Sequence, residues 1–119
     1  MLCGCERSLP ASLKIEGDVG ADPFWCAHCA FNIDMADLPL SNNLAAALSS
    51  WNTTYGEWID WKTDTLKEDG LQLEKQFNRE GEALTEKVRS EIGHIYGIVF
   101  VPSTSARLYS QTSCIKEQP

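Results

Sequence analysis

Two close pairs of cysteines carry the most specific chemistry in this sequence. Cys3-Gly4-Cys5 stands at the start, and Cys26-Ala27-His28-Cys29 follows within an aromatic frame of Phe24, Trp25 and Phe31. Thiolates are soft ligands, and four of them at ~2.3 Å close a tetrahedron around Zn2+. A Cys-x-x-Cys turn puts two sulfurs on one side of the ion, and a second pair must be brought alongside by the intervening chain. Twenty residues separate Cys5 from Cys26, the length of a short hairpin. The expected site is therefore one structural zinc held by Cys3, Cys5, Cys26 and Cys29. The single-residue spacer in Cys3-Gly4-Cys5 gives a tighter bite than the usual two to four residues, and a variant site exchanges Cys3 or Cys5 for His28.

The elements needed to position these thiols are short. Ser12 to Glu16 alternates apolar and polar residues, the period of a half-buried strand, and Gly17 to Pro23 supplies turn residues. Phe31 to Met35 alternates again and is read as a second strand. Thiol pair, strand, turn, thiol pair and strand is the order that a zinc ribbon needs. Cys26-Ala27-His28-Cys29-Ala30 resembles a zinc knuckle, with Ala30 where glycine is usual, and the zinc-ribbon resemblance covers about the first 35 residues. Trp25-Cys26-Ala27-His28-Cys29 also resembles the active site of thioredoxin-like disulfide oxidoreductases. That resemblance implies Cys26 as nucleophile, Cys29 as resolving thiol and His28 as the group lowering the thiolate pKa. Val101-Pro102-Ser103-Thr104 is similar to the proline loop of that family, but only 17 residues follow Pro102, too few for the closing elements. The redox reading also leaves Cys3 and Cys5 without a role.

Beyond the thiols, Leu38-Pro39-Leu40-Ser41 marks a boundary, with Ser41 a natural N-cap. Leu44, Leu48, Trp51, Tyr55 and then Trp58 or Ile59 recur every three or four residues, which predicts an amphipathic helix of about four turns. Residues 57–66 fit neither a helix nor a strand clearly, and Glu68-Asp69-Gly70 reads as a turn. A second helix over 71–92 carries Leu73, Phe77, Leu84, Val88 and Ile92 on one face. Gly81 within it implies a kink or a close contact, and Gly93 a stop. Ile95 to Val101 predicts a central strand, Ser103 to Arg107 a polar loop, and Leu108-Tyr109 the start of a last strand. The stretch from Phe77 to Leu84, with Val88, Glu91, Gly93, Tyr96 and Val99, resembles small bacterial α+β proteins over residues 38–101. The predicted architecture is a single α+β domain. A zinc-ribbon-like hairpin (residues 1–37) precedes two amphipathic helices packed on a small sheet (38–109), and a tail spans 110–119.

Net charge −7 argues against binding nucleic acid through its phosphates, which needs a Lys/Arg footprint. No apolar run approaches the ~18 residues of a membrane span. The start lacks the basic and apolar regions of a secretory signal, so the expectation is a cytoplasmic protein, where paired cysteines are metal ligands or redox thiols rather than disulfides. Glu80, Glu82, Glu86 and Glu91 interleave with Arg79 and Lys87 as a solvated helix face, His94 is a bystander at a helix end, and Cys114 is a lone thiol in the tail. No phosphate-binding or hydrolase motif is present. The function expected is therefore a non-enzymatic protein-interaction module (adaptor, inhibitor or immunity-type partner) stabilised by zinc. Its partner is a protein, and a homodimer is a further way to cover its apolar faces. The alternative is a thiol-disulfide oxidoreductase using Cys26 and Cys29.

Overall fold

The computed structural model describes residues 12–106 and Leu108. Strand β1 (Ser12–Ile15) pairs antiparallel with β2 (Phe24–Cys26) and parallel with β5 (Gly97–Phe100), giving the order β2-β1-β5. Between the parallel partners run helix α1 (Asn42–Thr53), a small hairpin of β3 (Ile59–Asp60) and β4 (Thr65–Leu66), and helix α2 (Gly70–Ile92). The result is an α+β domain with two helices on one face of a small mixed sheet. Leu13, Ile15, Phe24, Cys26 and Ile98 point from the strands into the core, as the two-residue period of a pleated strand dictates. Lys14, Trp25 and Val99 share the opposite face by register.

Helix α1 starts where Ser41 predicts: its hydroxyl accepts from Leu44 N at 3.2 Å. The same residue ties α1 to the end of α2, because Glu91 accepts from Ser41 N and Ser41 Oγ, each at 2.7 Å. These two donors hold the Glu91 carboxyl below its ordinary pKa. A folded value below the unfolded ~4.3 means that the contribution is complete above that pH and fades as pH falls through the lowered folded value. Glu91→Gln is accordingly expected to lower the melting temperature at neutral pH. The gap from wild type should narrow as melts are repeated down through the carboxylate range; a gap that widens on acidification would contradict the assignment.

Leu44, Leu48 and Trp51 are buried as expected, but α1 ends at Thr53, short of Ile59. The Thr53 and Thr54 hydroxyls bond back to the Ser50 and Trp51 carbonyls, and Gly56 at φ +85° turns the chain into β3. Tyr55 and Trp58 still join the core from this turn. They form an aromatic cluster with Phe77, with ring centroids 5.1 Å apart for Trp58–Phe77 and 5.3 Å for Tyr55–Trp58. Residues 57–66, indeterminate from the sequence, contain the β3–β4 hairpin.

Three other expectations are corrected. The second strand is β2, before the cysteine turn and not at Phe31 to Met35. Only an isolated Trp25–Asn32 bridge lies on the return path, and Met35–Asp37 is a 3-10 turn capped by the Asp34 carboxylate. The side chains of Asp22 and Asp34 take the Met35 and Ala36 N–H groups, which a longer ladder would have used. Among the described residues strand β5 is an edge and β1 holds the centre; Arg89 of α2 donates from Nε and Nη2 to Ile98 O and so occupies part of that edge. Leu108 is helical, with its N–H on Thr104 O, rather than the start of a strand. Tyr109, Cys114 and the tail lie outside the described residues.

Candidate functional site

The cysteine turn begins where β2 ends. Ala30 N bonds Cys26 O at 2.9 Å and Cys26 N bonds Phe31 O at 2.9 Å, closing a tight loop through His28 and Cys29. Both cysteines are thiols, Cys26 buried in the core and Cys29 exposed. A nucleophilic thiol has to meet its substrate, so burial of Cys26 removes the feature on which the redox reading depends. Among the described residues the sheet of order β2-β1-β5 likewise does not supply the strand-rich frame of that family. Cys3 and Cys5 lie outside the described residues, and among the described residues no group of three or more His, Cys, Asp or Glu side chains gathers around a metal position. Of the aromatic frame, Phe24 is buried and Trp25 half-buried, with Trp25 Nε1 bonded to Glu16 O, while Phe31 is exposed.

Ala30 adopts φ +63°, the left-handed conformation that its knuckle-like position demands and that a Cβ disfavours. Ala30→Gly is expected to raise stability by about 0.5–1 kcal/mol, strain relief outweighing the added freedom of the unfolded chain. Urea titration of both proteins measures it.

A second polar constellation centres on Glu74, in the buried face of α2. Its Oε2 accepts from Ser103 Oγ and from Ala106 N, each at 2.8 Å, and Ser105 Oγ accepts from Trp58 Nε1 at 2.9 Å. Asn78 completes the attachment, donating to Ser103 O and accepting from Ser103 N. The arrangement is a clamp that fixes the 103–106 segment against α2 and engages the Ser103 and Ser105 hydroxyls. Glu74→Ala strands two donors and should cost about 1–3 kcal/mol, with Glu74→Gln milder because an acceptor oxygen remains. Equal losses in the two variants, read by denaturant titration, would contradict the clamp.

A concave surface of the N-terminal half runs along α1. Two depressions of about 470 and 500 Å³ meet at Asp22. Ala45, Ser49 and Asn52 line them from the helix, and the Asp18–Pro23 turn and the Asp34–Leu38 segment form the opposite wall. Asn52 locks that turn to the helix, donating to Ala21 O at 2.7 Å and accepting from Asp18 N at 3.0 Å. Asp18, Asp22 and Asp34 each accept one backbone N–H, from Val19, Met35 and Ala36. Among the described residues no Lys or Arg lines either depression. The groove ends at Thr53 and Tyr55; the next residue, Gly56, lies beneath the ring of Trp61, which is 62% exposed. These residues were not singled out as a site from the sequence. The available signal was charge: residues 12–60 hold seven carboxylates against Lys14.

The small α+β scaffold thus presents an acidic groove along α1 and, next to its end, an exposed tryptophan. The family is shown by its sequence model: residues 11–103 match that of the Serratia CdiI immunity protein-like family, to which this chain belongs. No curated protein gives a significant match. Family membership makes the chain an immunity- or inhibitor-type interaction module.

Proposed function

We propose that the protein is a cytoplasmic immunity protein that neutralises a protein toxin by binding it directly, without chemistry of its own. The family match over residues 11–103 carries this reading. The acidic groove supports it by offering a preformed surface to a basic partner. Co-expression tests it. Cells producing a toxin of the kind paired with this family should survive when the chain is present and die when it is absent; if no such toxin is suppressed by the wild-type chain, the reading is lost.

A structural zinc at Cys3, Cys5, Cys26 and Cys29 belongs to the same proposal. Its support is topological: Ala27 N bonds Ser12 O at 3.0 Å, so β1 begins beside the Cys26–Cys29 turn. Six residues link Cys5 to Ser12, enough to span about 20 Å and return one thiol pair to the other. The left-handed Ala30 matches the backbone of a knuckle. Native mass spectrometry should find one zinc per chain, lost in Cys29→Ser; metal-free wild type would end this part of the proposal without touching the other.

A further inference from the structure

The groove along α1 combines shape, charge and an aromatic anchor in a way that specifies an occupant. Its three carboxylates enter no ion pair among the described residues, although each is already oriented by a backbone N–H. Preorganised acceptors cost little ordering when a partner arrives. The C-terminal end of α1 adds its partial negative charge, and no basic residue stands in the last turn to neutralise it. Ala45 and Ser49 make a shallow floor that leaves room for an extended backbone. Trp61, exposed over Gly56 just beyond the groove's Tyr55 end, is of a residue type enriched among interface anchors.

We propose that this groove docks a lysine- and arginine-bearing extended segment of the partner toxin, its basic side chains meeting Asp18, Asp22 and Asp34 and an apolar residue packing on Trp61. The proposal rests on the immunity-type reading for the identity of the partner, but the chemistry of the groove can be tested without one. The probe is a synthetic peptide, acetyl-GRGKGRG-amide, titrated into the 15N-labelled chain, with acetyl-GEGEGEG-amide as control. Basic peptide should shift the amides of 18–22, 34–36 and 45–53 together with the Trp61 indole, and the acidic peptide should shift none. Raising salt from about 50 to about 300 mM should weaken the effect, because exposed charges are screened.

Asp18→Asn, Asp22→Asn and Asp34→Asn combined keep a side-chain oxygen for each backbone N–H, so folding survives while the charge is removed. This variant should bind the peptide at least ~10-fold more weakly. Shifts centred instead on the Glu80–Glu86 face of α2, or unchanged in the triple variant, would overturn the proposal. With a toxin that the wild type suppresses, the triple variant and Trp61→Ala should each lose ~30-fold or more in affinity, and Glu82→Gln, exposed on α2, should lose none. A toxin bound equally well by the triple variant removes the groove and leaves the function standing. A peptide that maps to the groove in a chain that suppresses no toxin does the reverse.

Discussion

Replacing Trp51 by alanine is expected to lower the unfolding free energy by about 3–5 kcal/mol, a large part of what a domain of this size has available. The indole is buried and stacks on Phe77 with centroids 4.5 Å apart and planes 15° from parallel, and its Nε1 donates to Phe77 O at 2.9 Å. Its edge meets Phe100 of β5 with centroids 6.2 Å apart. One side chain therefore joins α1, α2 and the sheet. Truncation removes apolar area, leaves a cavity and strands a hydrogen bond at the same point. Trp51→Phe should recover much of the packing but not the bond, placing it about 1–2 kcal/mol below wild type. Chemical denaturation of the pair separates the two contributions; equal losses would show that packing does not dominate.

The second large effect runs against helix propensity. Alanine is the better helix former by about 1 kcal/mol, yet Gly81→Ala should destabilise the protein by about 2 kcal/mol. A Cβ at Gly81 would fall 2.5 Å from Trp51 Cζ2 and 2.6 Å from Phe100 Cε1, so the buried indole and the half-buried Phe100 ring would have to move. Thr85, one turn on and fully buried, returns its hydroxyl to Gly81 O at 2.8 Å and holds the backbone in place. The indole is one of the two rings in the clash, which makes a coupling test available. In a Trp51→Phe background the cost of Gly81→Ala should shrink by at least ~1 kcal/mol, since residues sharing a contact are not additive. Strict additivity would mean that the glycine serves some purpose other than admitting Trp51.

What could be read from the sequence was mostly local. Ser41 and the Leu44, Leu48, Trp51 spacing fixed the start and buried face of α1, because caps and helical periods act within a few residues. Gly81 signalled a close contact by being costly where it stands. Glu74 and Thr85 escaped notice because a polar residue in an apolar stripe looks like a break in the pattern until its partners, Ser103 and Ala106 for one and Gly81 for the other, are in view. The buried face of α2 therefore passes through Phe77, Gly81, Thr85 and Val88, while Leu73 and Leu84 sit at its margins. Strand order was illegible for a different reason. The strength of β5 as an apolar run says nothing about which strand lies beside it, and β1 took the centre by pairing on both sides. Phe31 to Met35 alternates like a strand, but Asp34 at its end is a capping residue, and the cap prevailed. The groove was least legible of all: Asp18, Asp22 and Asp34 line one surface only once the β1–β2 turn is locked to α1 through Asn52.

The central claim is stoichiometric neutralisation of a toxin by binding alone. Its most direct test mixes the purified chain with a toxin that it suppresses in cells and follows toxin activity against molar ratio, with light scattering on the same samples. The account predicts a one-to-one complex and activity that falls linearly to baseline at equivalence. Activity abolished at small fractions of equivalence would reveal a catalytic inactivator, and activity persisting in excess with no complex would remove the immunity function.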